Sequence, residues 1–498
     1  MLGQRAVSLC RRSLTTMARK PKILAVVGAT GTGKSELAVA LATRFNGEVL
    51  NADAMQLYAG LDIITNKIPT AERKGVPHHL LGCIGLDEQP WTVGKFCSSA
   101  LKIIEDIRSR GKLPILVGGT HYYTQSLLFH DRLTGESQAK GTDSAQAEVD
   151  LDTNVSPSGS YEDVKIKFPI LEASTEEILA KLKEVDPIMA SRWHPNDRRK
   201  IQRSLEIWLQ TGRRASDIYT EQKNKQAAPT NGYVDETPVQ NDNTESKYHH
   251  EDLRMDTIIF WVHADTDALY KRLNNRVDKM VTSGLLAEVQ GLSQYAAQKP
   301  VLDKTSGIWV SIGYKEFLPY LDRLNEVEDG SHTANRASSS ESKELDKLLS
   351  EAIEATKAGT RQYAKRQIRW IRIKLLNALQ SSQNAGQGKM YLLDGTNVDD
   401  FQNNVIDQAR AITQLWLEDE SLPEPASFSS AAAELLQPKR DDLSNSVGKW
   451  ERQVCEACNV VGVTPSDWNL HVKSRRHRRN MANLKNQPEG RELSVGVE

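Results

Sequence analysis

Cysteine, net charge and long apolar runs are all scarce in this sequence, and each shortage excludes a class of protein. Five cysteines in 498 residues are too few for a disulfide framework and favour a reducing compartment. Hydrophobic residues make up 39% of the chain, and no long apolar run is free of charge, so we expect no membrane span. A net charge of −1 implies that any surface binding nucleic acid is local. The length suggests about three domains.

Acidic residues are absent from the start of the chain, and the first one is Glu36. The basic residues of positions 1–20 are Arg5, Arg11, Arg12, Arg19 and Lys20. This composition resembles a mitochondrial transit peptide, although an ordinary basic tail is the alternative. Initiation at Met17 would yield a cytosolic form. The sequence therefore predicts a mitochondrial and cytoplasmic location, with the nucleus as a further compartment.

A glycine-rich loop follows the first apolar run, where residues 23–38 are ILAVVGATGTGKSELA. The loop fits G-x-x-x-x-G-K-[ST] and consists of Gly28, Ala29, Thr30, Gly31, Thr32, Gly33, Lys34 and Ser35. Glycines allow successive N–H groups to converge, the following helix adds partial positive charge, and Lys34 adds a full charge. The Ser35 hydroxyl is a Mg²⁺ ligand in such loops. The motif predicts a site for a di- or triphosphate with Mg²⁺; a glycine-rich turn without a ligand is the alternative.

Strands and helices are predicted to alternate between residues 21 and 129. Apolar runs at 23–28, 48–53 and 113–118 are typical of buried strands, and residues 91–110 have the apolar spacing of a helix. A strand, a crossover helix and a strand imply a parallel α/β sheet.

Three polar segments follow these strands at their carboxyl ends: residues 28–35, 51–53 and 118–120. Ligands of such sheets bind at the carboxyl ends of the strands. We therefore expect the three segments to converge on one crevice.

A helix is predicted over residues 195–212. Its apolar face consists of Ile201, Leu205, Trp208 and Leu209, and its outward face of Arg199, Gln202, Arg203 and Glu206. Polar stretches at 134–161 and 221–252 predict a loop and a disordered segment. Residues 257–262 predict a strand that returns to the sheet.

Two later helices carry basic residues. In the helix predicted for residues 267–284, Arg272 and Arg276 share a face. The basic stripe of the helix predicted for residues 360–377 consists of Arg361, Lys365, Arg369 and Arg372. This stripe is a solvated surface or an anion-binding surface.

The C-terminal region contains Cys455-x2-Cys458-x12-His471-x5-His477, the ligand spacing of a Cys₂His₂ zinc site. Both histidines are predicted to lie on one helix over residues 467–480. The helix is basic, so a nucleic-acid backbone is the expected partner, and a metal site that serves only protein contacts is the alternative.

Eight segments in this order resemble the tRNA dimethylallyltransferase (tRNA isopentenyltransferase) family: GATGTGKS at 28–35, LNADAMQLY at 50–58, ITNKIPTAERKGVPHHL at 64–80, LVGGTHYY at 116–123, PNDRRKIQRSLEIWLQTGR at 195–213, LYKRLNNRVDKMVTSGLLAEV at 269–289, SIGYKEF at 311–317 and TRQYAKRQIRWIR at 360–372. A P-loop alone is unspecific, whereas the ordered set is specific. The finger and the basic leader resemble the eukaryotic branch.

The resemblance implies transfer of a dimethylallyl group from dimethylallyl diphosphate to the exocyclic amine of the anticodon-adjacent adenosine of tRNA. It implies that residues 28–35 and Arg276 bind the diphosphate with Mg²⁺, and that Thr30, Lys34 and Asp53 are catalytic. Asp53 matches the general base; an N-cap or a metal ligand is the alternative role for this carboxylate. Where the family usually has serine after this position, the chain has Ala54.

The tRNA contacts implied by the resemblance are Asp53, Ala54, Met55, Gln56, Thr120, Arg199, Lys200, Ile201, Gln202 and Arg203. Thr120 is expected at the entrance of the reaction channel. Arg203 and Arg276 are candidates for phosphate contacts, with surface ion pairs as the alternative.

The predicted fold is an α/β P-loop core with a parallel sheet, a helical insertion domain and a C-terminal Cys₂His₂ zinc finger. The predicted boundaries are 1–20 for the leader, 21–129 for the first part of the core, 130–253 for the tRNA-binding insertion, 254–400 for the second part of the core, 401–449 for a linker, 450–482 for the finger and 483–498 for the tail. We expect a monomer with structural Zn²⁺.

Two other functions stay open from the residues alone. A P-loop kinase or NTPase would need a nucleoside triphosphate and a second-strand aspartate, for which Asp265 is the candidate. A zinc-finger RNA-binding protein with an inactive α/β part is the other. Neither accounts for the ordered family segments.

Overall fold

The computed structural model describes residues 20–129, 167–218, 220, 253–299, 303–331, 339–381, 388–437, 453–458, 460–462 and 465–485. Residues 1–19 of the leader, the polar stretch 134–161 and the segment 221–252 lie outside the described residues. The chain forms two compact units. The first comprises Met1–Pro90, Cys97–His130 and Tyr248–Pro438, and the second comprises Trp91–Phe96, Asp131–Lys247 and Lys439–Glu498.

A six-stranded sheet organises the first unit. Its strands are β1 (Lys22–Gly28), β2 (Gly47–Asn51), β3 (His78–His79), β4 (Leu113–Val117), β5 (Asp256–His263) and β6 (Gly388–Asp394). Their spatial order is β3-β2-β4-β1-β5-β6, and every neighbouring pair is parallel. The prediction of a parallel α/β sheet is confirmed, and β1 lies between β4 and β5 near its middle.

The described helices follow in chain order, and three of them have fewer than eight residues. They are α1 (Lys34–Arg44), α2 (Val93–Ser109), α3 (His121–Leu128), α4 (Thr175–Val185), α5 (Pro187–Arg192), α6 (Arg198–Thr211), α7 (Thr266–Thr282), α8 (Leu285–Gln298), α9 (Leu318–Ser331), α10 (Ser339–Trp370), α11 (Leu376–Ser381), α12 (Gln408–Leu417), α13 (Ser430–Leu435), α14 (Pro465–Val472) and α15 (Arg475–Lys485). A π-helical segment, Ile371–Leu375, joins α10 to α11. None of the described helices is both long and apolar enough to cross a membrane.

The core of the first unit lies on both faces of the sheet. Leu24 and Val26 of β1 belong to a buried cluster that also contains Leu37 of α1, while the intervening Ile23 and Ala25 are fully buried on the other side. Covering both faces explains why these strands are continuous apolar runs instead of alternating ones. The loop after β1 is therefore attached to a rigid strand.

The predicted linker over residues 401–449 is wrong for its described part. Val405, Ile412 and Trp416 lie in the buried cluster of the sheet, and the Tyr391 hydroxyl of β6 donates to the Pro423 carbonyl at 2.8 Å. The apolar residues recur at helical spacing, but the acidic and polar residues around them conceal this pattern in the sequence. The core therefore continues to residue 437, and residues 438–449 lie outside the described residues.

The chain leaves the first unit after α3 and returns to it before β5, and these two points are in contact. Phe129 and Leu253 form an antiparallel bridge, and the Arg254 N–H donates to the Leu128 carbonyl at 2.8 Å. Phe129 and Leu253 are both fully buried.

Helices α4 to α6 share a core in the second unit. Ile178, Leu182, Ile201 and Leu205 belong to this buried cluster. Helix α6 begins at residue 198, later than predicted, because the side chain of Asp197 caps it by accepting from the Lys200 N–H. The predicted apolar face of this helix is confirmed.

Glu206 was predicted on the outward face of α6, and this is wrong. Its side chain is 5% exposed and pairs with Arg203, with Nη1 to Oε2 at 2.9 Å, and the Gln210 amide donates to its other oxygen at 3.1 Å. Helical spacing predicts which residues share a face, but it does not predict a pair of opposite charges that is buried together.

Candidate active site

The loop over residues 28–35 joins β1 to α1 and has the backbone that its glycines predict. Gly28 and Gly33 have φ values of +150° and +93°. A Cβ at Gly28 would lie 2.4 Å from the Val262 carbonyl oxygen, and one at Gly33 would lie 2.5 Å from the ring of Phe401. The Thr32 hydroxyl donates to the Ala29 carbonyl at 2.9 Å and stabilises the turn. The positive φ and the close packing both require glycine.

Lys34 begins α1, and its charge lies inside the loop. Its Nζ donates to the Ala29 carbonyl at 2.8 Å. Burial and the nearby positive charge of Arg276 lower the pKa of Lys34 to about 8, although the charge of Asp53 acts in the opposite direction. Lys34 is thus a cation whose charge is readily stabilised by an anionic ligand.

Arg276 approaches the loop from α7. Its Nη1 donates to the Thr30 hydroxyl at 2.7 Å, and its Nε donates to Asn66 Oδ1 at 2.7 Å. Burial lowers the pKa of Arg276 to about 10, so the group stays charged at neutral pH. Arg272, on the same face, instead donates to the Thr396 carbonyl. Of this predicted pair, only Arg276 contacts the phosphate-binding loop.

Asp53 lies two residues beyond the end of β2. Asn51 fixes its backbone, because Asn51 Oδ1 accepts from the Asp53 N–H and Asn51 Nδ2 donates to the Asp53 carbonyl, both at 3.0 Å. Asp53 Oδ1 accepts from the Met55 N–H at 3.0 Å. Burial raises the pKa of Asp53, while that hydrogen bond and the charges of Lys34 and Arg276 oppose the shift. A carboxylate with a raised pKa is a better proton acceptor.

The turn after β4 lies beside Asp53. The Thr120 hydroxyl accepts from the Ala54 N–H at 2.9 Å, and the Thr120 N–H donates to the Ala52 carbonyl at 3.1 Å. A Cβ at Gly119 would lie 3.5 Å from Asp53 Oδ2. The prediction that the three polar segments converge is confirmed. The charge of Lys34 in the phosphate-binding loop acts on Asp53, and Gln367 of α10 hydrogen-bonds both to this loop and to Gly119.

Ala54, Met55 and Gln56, predicted as tRNA contacts, follow Asp53 in the same turn. Ala54 and Met55 contribute backbone N–H groups to Thr120 and Asp53. The Gln56 amide donates to the carbonyls of Thr65 and Asn66, at 3.3 and 3.1 Å. Because Ala54 has no hydroxyl, it offers only its backbone here.

Sequence reasoning missed four side chains around this site. Gln367 contacts the phosphate-binding loop, and Tyr363 donates to the Gly119 carbonyl at 3.3 Å. The ring of His121 stacks on Trp370, with centroids 4.3 Å apart and planes 2° apart. Burial and the charge of Lys34 lower the pKa of His121 to about 3, so this imidazole is neutral at pH 7. Tyr363 and Gln367 lie four residues apart within the family segment at 360–372, and this helical spacing was the signal that could have placed them on one face toward the site.

The other predicted tRNA contacts lie on α6 in the second unit. Lys200 is exposed, and its Nζ pairs with Asp197 at 3.0 Å. Ile201 is fully buried in the helical core, so its side chain is a packing residue. Arg203 pairs with Glu206, and the pair is largely enclosed, with side chains 13% and 5% exposed, so it is not the surface ion pair that was the alternative. Arg199 and Gln202 occupy the first two turns of this helix.

The C-terminal cysteines and histidines form a second candidate site. The ligand atoms of Cys455, Cys458, His471 and His477 all lie within 4.8 Å of one another. The Sγ atoms of the two cysteines are 3.4 and 3.6 Å from His477 Nδ1, close to the separation of about 3.5 Å between sulfur and nitrogen ligands of a tetrahedral zinc ion. His471 Nε2 is buried and has no hydrogen-bond partner. These donors fit Zn²⁺.

The single helix predicted to carry both histidines is wrong. His471 lies on α14, and His477 lies on α15, which Ser474 begins by accepting from the His477 N–H at 3.1 Å. Residues six apart on a continuous helix point in directions about 120° apart. The break between α14 and α15 lets both imidazoles face the same point. Trp468 packs over Gly462, whereas Leu470 is 68% exposed.

Comparison with known proteins matches most of the chain to one group of proteins. The profile described as IPP transferase matches residues 56–374. The tRNA dimethylallyltransferase of Schizosaccharomyces pombe is 34% identical over 478 residues, which cover 93% of this chain and 96% of that protein. The tRNA dimethylallyltransferase of Homo sapiens is 32% identical, with 93% and 86% covered.

A solved structure agrees with these similarities. A eukaryotic dimethylallyltransferase, described as acting on tRNA, superposes on this chain with a TM-score of 0.64. It is 32% identical, and the alignment covers 93% of this chain and 97% of the other.

Proposed function

The chain belongs to the IPP transferase family and is a tRNA dimethylallyltransferase-type enzyme, and from this premise we propose that it transfers a dimethylallyl group from dimethylallyl diphosphate to tRNA. The acceptor is the exocyclic amine of the adenosine next to the anticodon, and pyrophosphate is released. The observation that carries the proposal is a half-buried carboxylate, Asp53, close to a phosphate-binding loop with two cations, Lys34 and Arg276.

The reaction needs a nucleophile, a leaving group and a proton acceptor. A C–N bond forms between the exocyclic nitrogen and the allylic carbon, while the C–O bond to the diphosphate breaks and its electron pair leaves with pyrophosphate. The exocyclic amine is too weakly acidic to lose its proton first, so Asp53 accepts the proton as the bond forms. The raised pKa of Asp53 favours this transfer.

Stabilisation of the leaving group supplies most of the catalysis in this proposal. Negative charge grows on the departing pyrophosphate, and Lys34, Arg276 and the loop N–H groups are fixed where they can stabilise it. Because Thr30 is already held by Arg276, its hydroxyl is oriented before the substrate binds.

Both metals of the proposal can be compared with the residues present. Ser35 is exposed at the start of α1, so its hydroxyl would hold a Mg²⁺ ion at the phosphate-binding loop. When bound, this ion neutralises charge on the leaving group. Zn²⁺ fits the C-terminal cluster and would hold α14 and α15 together.

The tRNA-binding role of residues 199–203 and the basic finger helix belongs to the same proposal. Helix α15 carries Arg475, Arg476, Arg478 and Arg479, which can contact phosphates without reading sequence. The target adenine must leave the stack of the anticodon loop to reach Asp53, and a single-stranded loop makes this inexpensive. We further propose a monomer that is divided among mitochondria, cytosol and nucleus.

The transfer assay tests the function directly. Purified protein, Mg²⁺, labelled dimethylallyl diphosphate and unmodified tRNA should yield label on the tRNA and free pyrophosphate. A tRNA transcript with guanosine in place of the anticodon-adjacent adenosine is the matched control and should stay unlabelled. Turnover of ATP without tRNA, together with no label on either transcript, would support the P-loop NTPase instead.

Removal of one zinc ligand should abolish zinc binding at the C-terminal site. We expect Cys458→Ala to lose the zinc that the wild-type chain binds, as measured by elemental mass spectrometry, since three donors hold the ion weakly. Amide hydrogen exchange of residues 465–485 should become faster. Cys83→Ala replaces an exposed cysteine outside the cluster and should keep the metal. Equal zinc in the two variants would refute the site.

A further inference from the structure

Gln367 is a buried amide that connects two parts of the active site. It lies on α10 and is 1% exposed. Its Oε1 accepts from the Thr30 N–H of the phosphate-binding loop at 2.8 Å, and its Nε2 donates to the Gly119 carbonyl at 3.1 Å. One side chain thus satisfies a backbone donor in one segment and a backbone acceptor in another.

The two partners fix the orientation of the amide. The Thr30 N–H faces the amide oxygen of Gln367, and the Gly119 carbonyl faces its amide nitrogen. A side chain at this position therefore needs an acceptor and a donor to make both hydrogen bonds. Buried polar atoms without a partner are costly. Gln367 accepts from the Thr30 N–H, and it shares the Gly119 carbonyl with the Tyr363 hydroxyl, which donates to the same oxygen at 3.3 Å.

Gln367 is also close to the base. The Cβ position of Gly119 lies 2.3 Å from Gln367 Nε2 and 3.5 Å from Asp53 Oδ2, so the amide nitrogen and the carboxylate oxygen both lie next to the side of this glycine where a side chain would be. A side chain at Gly119 would displace Gln367. The bare backbone here permits the close approach.

The turn that Gln367 holds is hydrogen-bonded on both sides of Asp53. Thr120, the next residue, donates to the Ala52 carbonyl and accepts from the Ala54 N–H. A shift of Gly119 is therefore transmitted to the residues before and after the base. The connected path runs from Thr30 through Gln367 to the turn, and from the turn to Asp53.

We propose that Gln367 is a positioning residue that couples occupation of the phosphate-binding loop to the placement of Asp53. Diphosphate bound in the loop restrains Thr30 further, Gln367 transfers this restraint to Gly119, and the turn then holds the carboxylate at the acceptor amine. The proposal rests on the proposed prenyl transfer for its kinetic consequence, but its structural consequence is measurable with inorganic pyrophosphate alone.

The kinetic test uses two variants of different chemistry. Gln367→Met keeps the length and loses both hydrogen bonds, whereas Gln367→Glu keeps the acceptor for Thr30 and loses the donor for Gly119. We expect kcat for prenyl transfer to fall about 10–100-fold in both, with KM for dimethylallyl diphosphate changed less than about threefold, as is typical when orientation is lost but binding is kept. Gln380→Met replaces an exposed glutamine and should leave kcat unchanged.

The structural test is amide hydrogen exchange with and without pyrophosphate and Mg²⁺. In the wild type, pyrophosphate should slow exchange in residues 28–35 and in residues 118–120. In Gln367→Met and Gln367→Glu it should slow exchange in the loop alone. Equal slowing of the turn in the wild type and both variants, or unchanged kcat in folded variants, would overturn the coupling.

The two proposals can fail separately. If the wild type labels no tRNA while the exchange pattern appears as described, the proposed function fails and the coupling stands. If the wild type labels tRNA but pyrophosphate never affects the turn, the coupling fails alone. A variant that unfolds is identified by its thermal midpoint, and Gln367→Glu, which keeps a polar group in the same place, then carries the test.

Discussion

Asp53→Asn is expected to lower kcat for prenyl transfer by about 10²–10⁴-fold, because an amide cannot accept the proton that the amine gives up. The change is nearly isosteric. The asparagine oxygen can still accept from the Met55 N–H, so the turn and the affinity for dimethylallyl diphosphate should change little. Single-turnover rates with labelled donor, together with separately measured donor binding, distinguish lost chemistry from lost binding.

An exposed aspartate provides the control. Asp322→Asn on α9 makes the same chemical change away from the site and should keep the wild-type rate. A wild-type rate in Asp53→Asn would remove this carboxylate from the reaction.

The pH dependence tests the same carboxylate without a change in geometry. Burial raises the pKa of Asp53, and the protonated acid cannot accept a proton. Activity should therefore fall as the pH falls through a value above about 3.9, the ordinary pKa of aspartic acid. The residual rate of Asp53→Asn should lack this acidic limb, and an identical limb in both proteins would assign it to another group.

Lys34→Met should lower kcat/KM for dimethylallyl diphosphate by about 10²–10³-fold. The charge is lost at the place where the leaving group becomes more negative, while the stem of the side chain is kept. Steady-state rates at varied donor concentration measure the effect. Lys347→Met on α10 removes a lysine whose side chain is 75% exposed and should have no effect. Equal rates in the two variants would contradict the role of Lys34.

The lowered pKa of Lys34 has a consequence for binding. Because this pKa is about 8 in the free protein, the cation is lost as the pH rises through that value. We expect the affinity for pyrophosphate, measured by calorimetry, to decrease above it. Pyrophosphate itself titrates, so the decrease is judged against Lys34→Met, whose affinity should depend less on pH.

The parts of the fold that local chemistry determines could be predicted from the sequence. The phosphate-binding loop needs glycines at fixed spacing, and fully buried strands need continuous apolar runs. Convergence at the carboxyl ends of β1, β2 and β4 then follows from parallel topology. The four candidate zinc ligands were identified by their spacing, and their donor atoms lie within 4.8 Å of one another.

The features that were missed depend on contacts between distant segments. Nothing around Gln367 indicates that its amide meets Thr30 and Gly119, since these lie far away in the chain. Glu206 was placed outward because helical spacing does not reveal a charged partner inside. The helix break between His471 and His477 follows from their spacing once both must face one ion, so this feature could have been predicted.

Because Phe129 and Leu253 form a bridge, the stability of the sheet depends little on the length of the segment between them. Its two ends meet at one buried point, and the entropy of closing a loop grows only with the logarithm of its length. The chain between these ends is therefore free to lengthen, shorten or change composition at little thermodynamic cost to the catalytic framework. Such a framework can keep one chemistry while the segment between these two ends changes.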